Sequence, residues 1–129
     1  MKKYLISIVF CAVLAPLSGT GQSECAIEWQ KAFGGSMSER AYSIDKTNDG
    51  GYIIAGSASS TDGQLTASFG GNDLCVVKID QNGILQWQKS YGGSGDDVAS
   101  SVIQTSDGGF IVAGYTNSSG VMITQFYGS

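Results

Sequence analysis

Short apolar segments alternate with turn-forming residues along most of the chain. Four segments of about seven residues are rich in Ile, Val, Tyr and Trp, and they occupy positions 41–47, 52–58, 74–80 and 84–90. Their length and composition predict β-strands rather than helices. The turns between them, 48–51 and 81–83, contain Asp-Gly and Asn-Gly steps, which favour tight hairpins because these residues tolerate positive φ. The pattern predicts antiparallel hairpins joined by a longer polar connection at 59–73.

The chain repeats itself with a period of 58 residues. When Trp29 is aligned with Trp87, thirty positions can be compared without a gap, and fifteen of them are identical. A fixed period of this kind indicates a repeat architecture, in which one supersecondary unit is copied. Repeat 1 spans about 29–86, and repeat 2 spans about 87–129, where it ends partway through the unit. We single out as structural repeat residues Trp29, Gly34, Gly35, Asp49, Gly50, Gly51 and Gly56, with their counterparts Trp87, Gly92, Gly93, Asp107, Gly108, Gly109 and Gly114.

Four antiparallel strands per unit, connected by tight turns, predict the blade of a β-propeller. The unit reads W-Q-K-x-[FY]-G-G-S, then T-x-D-G-G-[YF]-I-[IV]-A-G, then D-L-C-V-V-K-I-D-x-x-G. In these motifs it resembles the bacterial secreted β-propeller repeat family, over about residues 27–129. The resemblance implies an exported scaffold or adhesive surface more than a reaction.

The number of units is too small for a closed propeller. Closure takes about four to eight blades, whereas the sequence holds about one and a half to two. We therefore expect an all-β, incomplete propeller that is a piece of a larger one. Further blades of the same or another chain are the expected partners. The alternatives are an assembly of several chains, an open and marginally stable sheet, and a small standalone β-sandwich.

The N-terminus has the features of a secretory signal peptide. Lys2 and Lys3 precede an apolar run at 4–14 that is too short to span a bilayer, and small residues precede Gln22. We predict a signal peptide over 1–21, a repeat region over 22–129, and a secreted or cell-surface protein. No segment of the mature chain is long and apolar enough to cross a membrane.

Composition narrows the function further. The chain has no histidine and a formal net charge of -4, which excludes imidazole chemistry and a basic nucleic-acid footprint. Removal of the signal peptide leaves five basic residues against eleven acidic ones, a net charge of -6. The mature chain keeps Cys25 and Cys75, which an exported protein could pair. The other interpretation is that Cys75 is a small buried side chain.

Three features resemble functional motifs, and each has a simpler structural interpretation. The segment 45–50 begins like a calcium loop, but glycine rather than glutamate stands at the twelfth position. Asp96 and Asp97 would catalyse glycoside hydrolysis only if two carboxylates converged, and neighbours in sequence point apart. Trp29 and Trp87 recur in phase, which favours a place in the core, whereas stacking on a sugar requires exposure.

These observations predict a non-enzymatic module that acts as a structural scaffold or a protein-interaction surface. We predict no catalytic residue, cofactor or metal, and a protein or glycan partner at the cell surface. This hypothesis requires buried repeat residues and exposed variable loops at 59–73 and 117–126. A carbohydrate-binding (lectin-like) module is the alternative and requires exposed aromatic residues beside polar ones on one rim. A polysaccharide hydrolase would require converging carboxylates.

Overall fold

The computed structural model describes residues 6–13, 25–67 and 69–119 of the chain. In this part every regular element is a β-strand, so no helix there is long and apolar enough to cross a membrane. The eight strands are β1 (Ile6–Val13), β2 (Cys25–Phe33), β3 (Glu39–Lys46), β4 (Tyr52–Ala58), β5 (Asp73–Ile79), β6 (Leu85–Tyr91), β7 (Asp97–Gln104) and β8 (Phe110–Thr116). All pairings are antiparallel. The predicted all-β class is confirmed.

Four consecutive strands form the central sheet, in the order β3-β4-β5-β6. They coincide with the four predicted strands to within two residues at each end. Gly50 and Gly83 have φ of 84° and 73° at the two hairpin turns. Residues with a side chain are strained in this conformation, whereas glycine is not. This requirement is why Asp-Gly and Asn-Gly mark the hairpins in the sequence.

The central sheet is covered on both faces. One core joins it to β2 and includes Phe33, Ile54, Val77 and Ile79. The other joins it to β7 and β8 and includes Ile53, Ala55, Val76, Ala99 and Val102. Because successive residues of a strand point to opposite faces, these cores lie on opposite sides of β4 and β5. Burial on both faces explains why β4 and β5 are almost continuously apolar.

The strand pairs β1–β2 and β7–β8 form separate two-stranded sheets. The β7–β8 pair reproduces β3–β4 at the 58-residue offset, including an irregularity between Ala99 and Ser101 that matches the one between Ala41 and Ser43. The two sequence copies therefore adopt the same local structure. Within the described residues the three sheets do not close into a ring.

Strand β1 lies inside the predicted signal peptide and pairs with β2. Phe10 is opposite Trp29, and a register irregularity follows Phe10 directly. Lys78 is opposite Trp87 on β5–β6, and the same irregularity follows Lys78. Strand β1 therefore takes the place on β2 that β5 takes on β6. Cleavage stays a prediction, because the charged n-region and the cleavage point before Gln22 lie outside the described residues.

The expectation that the loop 59–73 is exposed is wrong in part. Residues 61–64 are exposed, but Ser60, Leu65 and Ala67 are buried. Leu65 and Ala67 belong to the core on the β2 side, because the loop folds back over the edge of that core. Of the second loop, residues 117–119 are described, and they are exposed except for the half-buried Ser118. Residues 120–129 lie outside the described part.

Candidate interaction surface

A buried lysine holds the Asp-Gly-Gly turn of repeat 1. The Nζ atom of Lys78, a residue only 4% exposed, donates to Asp49 Oδ2 at 2.9 Å and to Gln86 Oε1 at 2.9 Å. Together with the Thr47 hydroxyl and the Gly51 amide, this lysine holds the pKa of Asp49 well below its usual range. The charge of Lys78 is thereby paired, which a buried ammonium requires. Asp49 thus belongs to the turn itself, and the calcium-loop motif is used for structure here.

Repeat 2 contains the same turn, and within the described residues no lysine is bonded to it. Thr105 and Gly109 donate to Asp107 as their counterparts do to Asp49, and they lower its pKa. Asp107 and Gly108 are exposed, as is Asp49, whereas Gly51 and Gly56 are buried. The expectation that the repeat residues are buried is therefore wrong for Asp49, Asp107, Gly108 and Gly114. The two aspartates accept the hydrogen bonds of the turn from its solvent side.

The Gly-Gly-Ser segments that follow β2 and β6 form corners around an internal carboxylate. The Gly35 amide donates to Glu39 Oε2 at 3.2 Å, and the Gly93 amide donates to Asp97 Oδ2 at 2.9 Å. Glu39 and Asp97 are each only 2% exposed. A side chain of the protein therefore accepts the hydrogen bonds that a bound phosphate would accept in a glycine-rich phosphate loop. Gly34 lies beside the same carboxylate, since a Cβ there would approach Glu39 Oε2 to 2.7 Å.

The converging carboxylates of this structure are Asp73 and Asp97. A Cβ at Gly92 would collide with Asp73 Oδ1 and lie 2.7 Å from Asp97 Oδ2. Burial opposes ionisation of Asp97, but the hydroxyls of Thr116 and Ser118 and the Gly93 amide outweigh it and lower the pKa. Asp73 and Asp97 are 0% and 2% exposed, so the convergence is closed to solvent. Sequence reasoning missed Asp73 because it precedes the corner by a whole strand pair.

Asp96 bonds to different partners from its neighbour Asp97. Asp96 Oδ1 accepts from the Asn72 amide at 2.9 Å and from Asn72 Nδ2 at 2.8 Å, and these bonds lower its pKa. The two adjacent acids therefore do not face each other. This agrees with the prediction from the sequence that neighbours on a strand point apart.

Each repeated tryptophan packs edge to face on the aromatic residue that begins the strand after the next Asp-Gly-Gly turn. Trp29 lies 6.2 Å from Tyr52, and Trp87 lies 5.8 Å from Phe110, at interplanar angles of 65° and 64°. Both tryptophans are half-buried, and Lys89 Nζ lies 5.8 Å from the centroid of the Trp87 ring. The tryptophans therefore link consecutive sheets.

Cys75 is a free, buried thiol. Burial raises its pKa to about 11, so the thiol is protonated at neutral pH. The disulfide with Cys25 that the sequence leaves open is not formed in this structure.

Two sheet faces carry exposed apolar side chains. The leading face consists of Ala41 and Ile44 on β3, on the side of the central sheet that β2 covers only in part. The trailing face is on β7–β8, on the side away from the central sheet, and consists of Ile103, Ile111, Ala113 and Tyr115. Ile44, Ile103, Ile111 and Tyr115 are between 51% and 59% exposed. Exposed apolar patches of this kind mark interaction surfaces.

The chain matches no family model and no curated protein. Function is therefore inferred from the contacts described above.

Proposed function

We propose that the chain is an exported, non-enzymatic module of β-propeller type that serves as a structural scaffold or protein-interaction surface. Three sheets stack in chain order, with β2 and β7–β8 on opposite faces of the central sheet. Successive blades of a propeller are arranged in this way, as small antiparallel meanders around one axis. The first strands of successive units are also neighbours, since the Val102 amide of β7 donates to Ser43 Oγ of β3 at 3.1 Å.

The observation that carries the proposal is that the repeated polar groups are used within the fold. Asp49 is bonded to Lys78, and the Gly35 and Gly93 amides are bonded to Glu39 and Asp97. The repeated motif therefore specifies the Asp-Gly-Gly turn and the Gly-Gly-Ser corner. An interaction role is left to the open sheet faces and to loop residues that differ between the copies.

From the predicted signal peptide we expect the module in the secreted or cell-surface fraction. A reporter enzyme without its own leader is fused behind residues 1–21 and expressed in a bacterial host. We expect the reporter outside the cytoplasm, and we expect it inside when Lys2 and Lys3 are both replaced by glutamate. A fusion that stays inside in both forms would contradict export.

Carbohydrate binding is the second candidate. Phe69 is 52% exposed and lies in the loop whose Asn72 is bonded to Asp96. An exposed aromatic ring offers an apolar face on which a sugar could stack.

One screen separates these functions. The purified chain is applied to a glycan array and incubated with polysaccharides while new reducing ends are measured. We expect neither binding nor hydrolysis. Binding that Phe69→Ala removes and Tyr42→Ala, an equally exposed control, preserves would establish the lectin function. Hydrolysis lost in Asp96→Asn would overturn the non-enzymatic assignment.

A further inference from the structure

We propose that two copies of this chain associate head to tail, with the leading face of one copy on the trailing face of the next. The inference rests on the proposed scaffold function and names its partner as a second copy. The arrangement is the one that β7 already adopts on the central sheet within a single chain.

The internal contact supplies the template. Val102 of β7 is 2% exposed and packs in the core that contains Ile53 and Ala55 of β4, both 0% exposed. Two hydrogen bonds fix the position of β7 on β3: the Val102 amide donates to Ser43 Oγ, and the Gln104 amide donates to Asp45 Oδ2 at 3.3 Å.

Both halves of this contact recur 58 residues away, and there both are uncovered. Ile44 of β3 is the counterpart of Val102 and is 53% exposed. Ile111 and Ala113 of β8 are the counterparts of Ile53 and Ala55, and both are exposed. The same strand positions are therefore buried where a neighbouring unit is present and exposed where it is absent. One chain presents the two complementary surfaces of a contact that it already makes once.

The trailing face is more apolar than the internal surface it copies. Ile103 stands where the first repeat has Asp45, and Tyr115 stands where it has Ser57. When the leading face of a second copy docks on this trailing face, Ser101 is the acceptor equivalent to Ser43. Ile103 stands in place of the second acceptor, Asp45, and makes an apolar contact instead of a hydrogen bond. Because the two surfaces differ, the contact is heterologous, and repetition of it produces either a closed ring or an open filament.

The test uses complementary variants of the full chain. Sedimentation velocity from about 1 to 200 µM protein is expected to show association that increases with concentration. Ile44→Asp removes the leading face and Ile111→Asp removes the trailing face, and each is expected to raise the dissociation constant at least about tenfold, as truncation of a central interface residue does. Ile84→Asp is the matched control, because Ile84 is 58% exposed but lies on neither face. Circular dichroism establishes that each variant is folded.

Mixing the two variants tests the geometry. Each retains one intact face, so an equimolar mixture is expected to form a dimer of one copy of each and nothing larger. A full chain that stays monomeric at 200 µM would overturn the proposal. An equal loss in Ile84→Asp, or a mixture without the dimer, would also overturn it. Export and the glycan screen are unaffected by these results, so the scaffold function and the head-to-tail contact can fail separately.

Discussion

Ile53 and Ile111 occupy the same position in the two copies of one motif, which makes their replacement by alanine a direct test of the fold. Ile53 is 0% exposed between two sheets, whereas Ile111 is 56% exposed. Truncation of a fully buried isoleucine costs about 2–5 kcal/mol, the sum of lost transfer free energy and the cavity left behind. We expect about 3 kcal/mol for Ile53→Ala, because both faces of β4 are packed and cannot collapse. For Ile111→Ala we expect less than about 1 kcal/mol, since no closed cavity forms.

Urea unfolding followed by tryptophan fluorescence measures both values. For a domain of this size, 3 kcal/mol lowers the melting temperature by roughly 10–20 °C. The measurement is made near 1 µM, so that the trailing face is not covered by a second copy. Equal losses in the two variants would contradict the burial of Ile53. The two isoleucines share one motif but differ in surroundings, since β4 is paired with β3 and β5 and packed by β7, whereas β8 pairs only with β7 in the described residues.

The remaining predictions concern the Asp49–Lys78 ion pair and the thiol of Cys75. Asp49→Asn weakens the partner of the buried Lys78 and is expected to cost about 1–3 kcal/mol, and the exposed counterpart Asp107→Asn is expected to cost less; chemical unfolding measures both. Because folding lowers the pKa of Asp49, the stabilisation it gives is complete above the ordinary aspartate pKa of 3.8 and is lost progressively as the pH falls below that value. Between pH 6 and pH 2, the free energy of unfolding should therefore change less with pH for Asp49→Asn than for the unchanged chain. With Cys11 and Cys25 both replaced by serine, Cys75 is the remaining thiol. It is expected to react with a thiol reagent at pH 8 only after unfolding, since burial raises its pKa to about 11. Rapid labelling of the folded chain would contradict its place in the core.

Hairpins and repeat period could be predicted because they depend on local chemistry. The hairpin turns need positive φ at Gly50 and Gly83. This need involves only a glycine and its neighbours in the chain, so it is visible in the sequence. The period is visible because the same turns and corners recur.

Contacts between units could not be predicted in the same way. The convergence of Asp73 with Asp97 joins residues on strands of different sheets, and no spacing rule connects them. The burial of Leu65 and Ala67 depends on how a long loop folds over a core, which two apolar residues in a polar segment do not specify. Lys78 lies in a strand that reads as apolar, and its partner comes from a turn 29 residues earlier.

The N-terminal segment shows where one pattern supports two structures. An apolar run rich in β-branched residues is both the h-region of a signal peptide and a good β-strand, so the sequence of β1 does not choose between them. Its register on β2 repeats that of β5 on β6, including the irregularity after Phe10, although β1 and β5 differ in sequence. The common element is the partner strand, since β2 and β6 share Trp-Gln-Lys. The shared motif therefore accounts for the shared register. If the signal peptide is cleaved before Gln22, the edge of β2 is left open in the shape that a β5-type strand from another unit would complete.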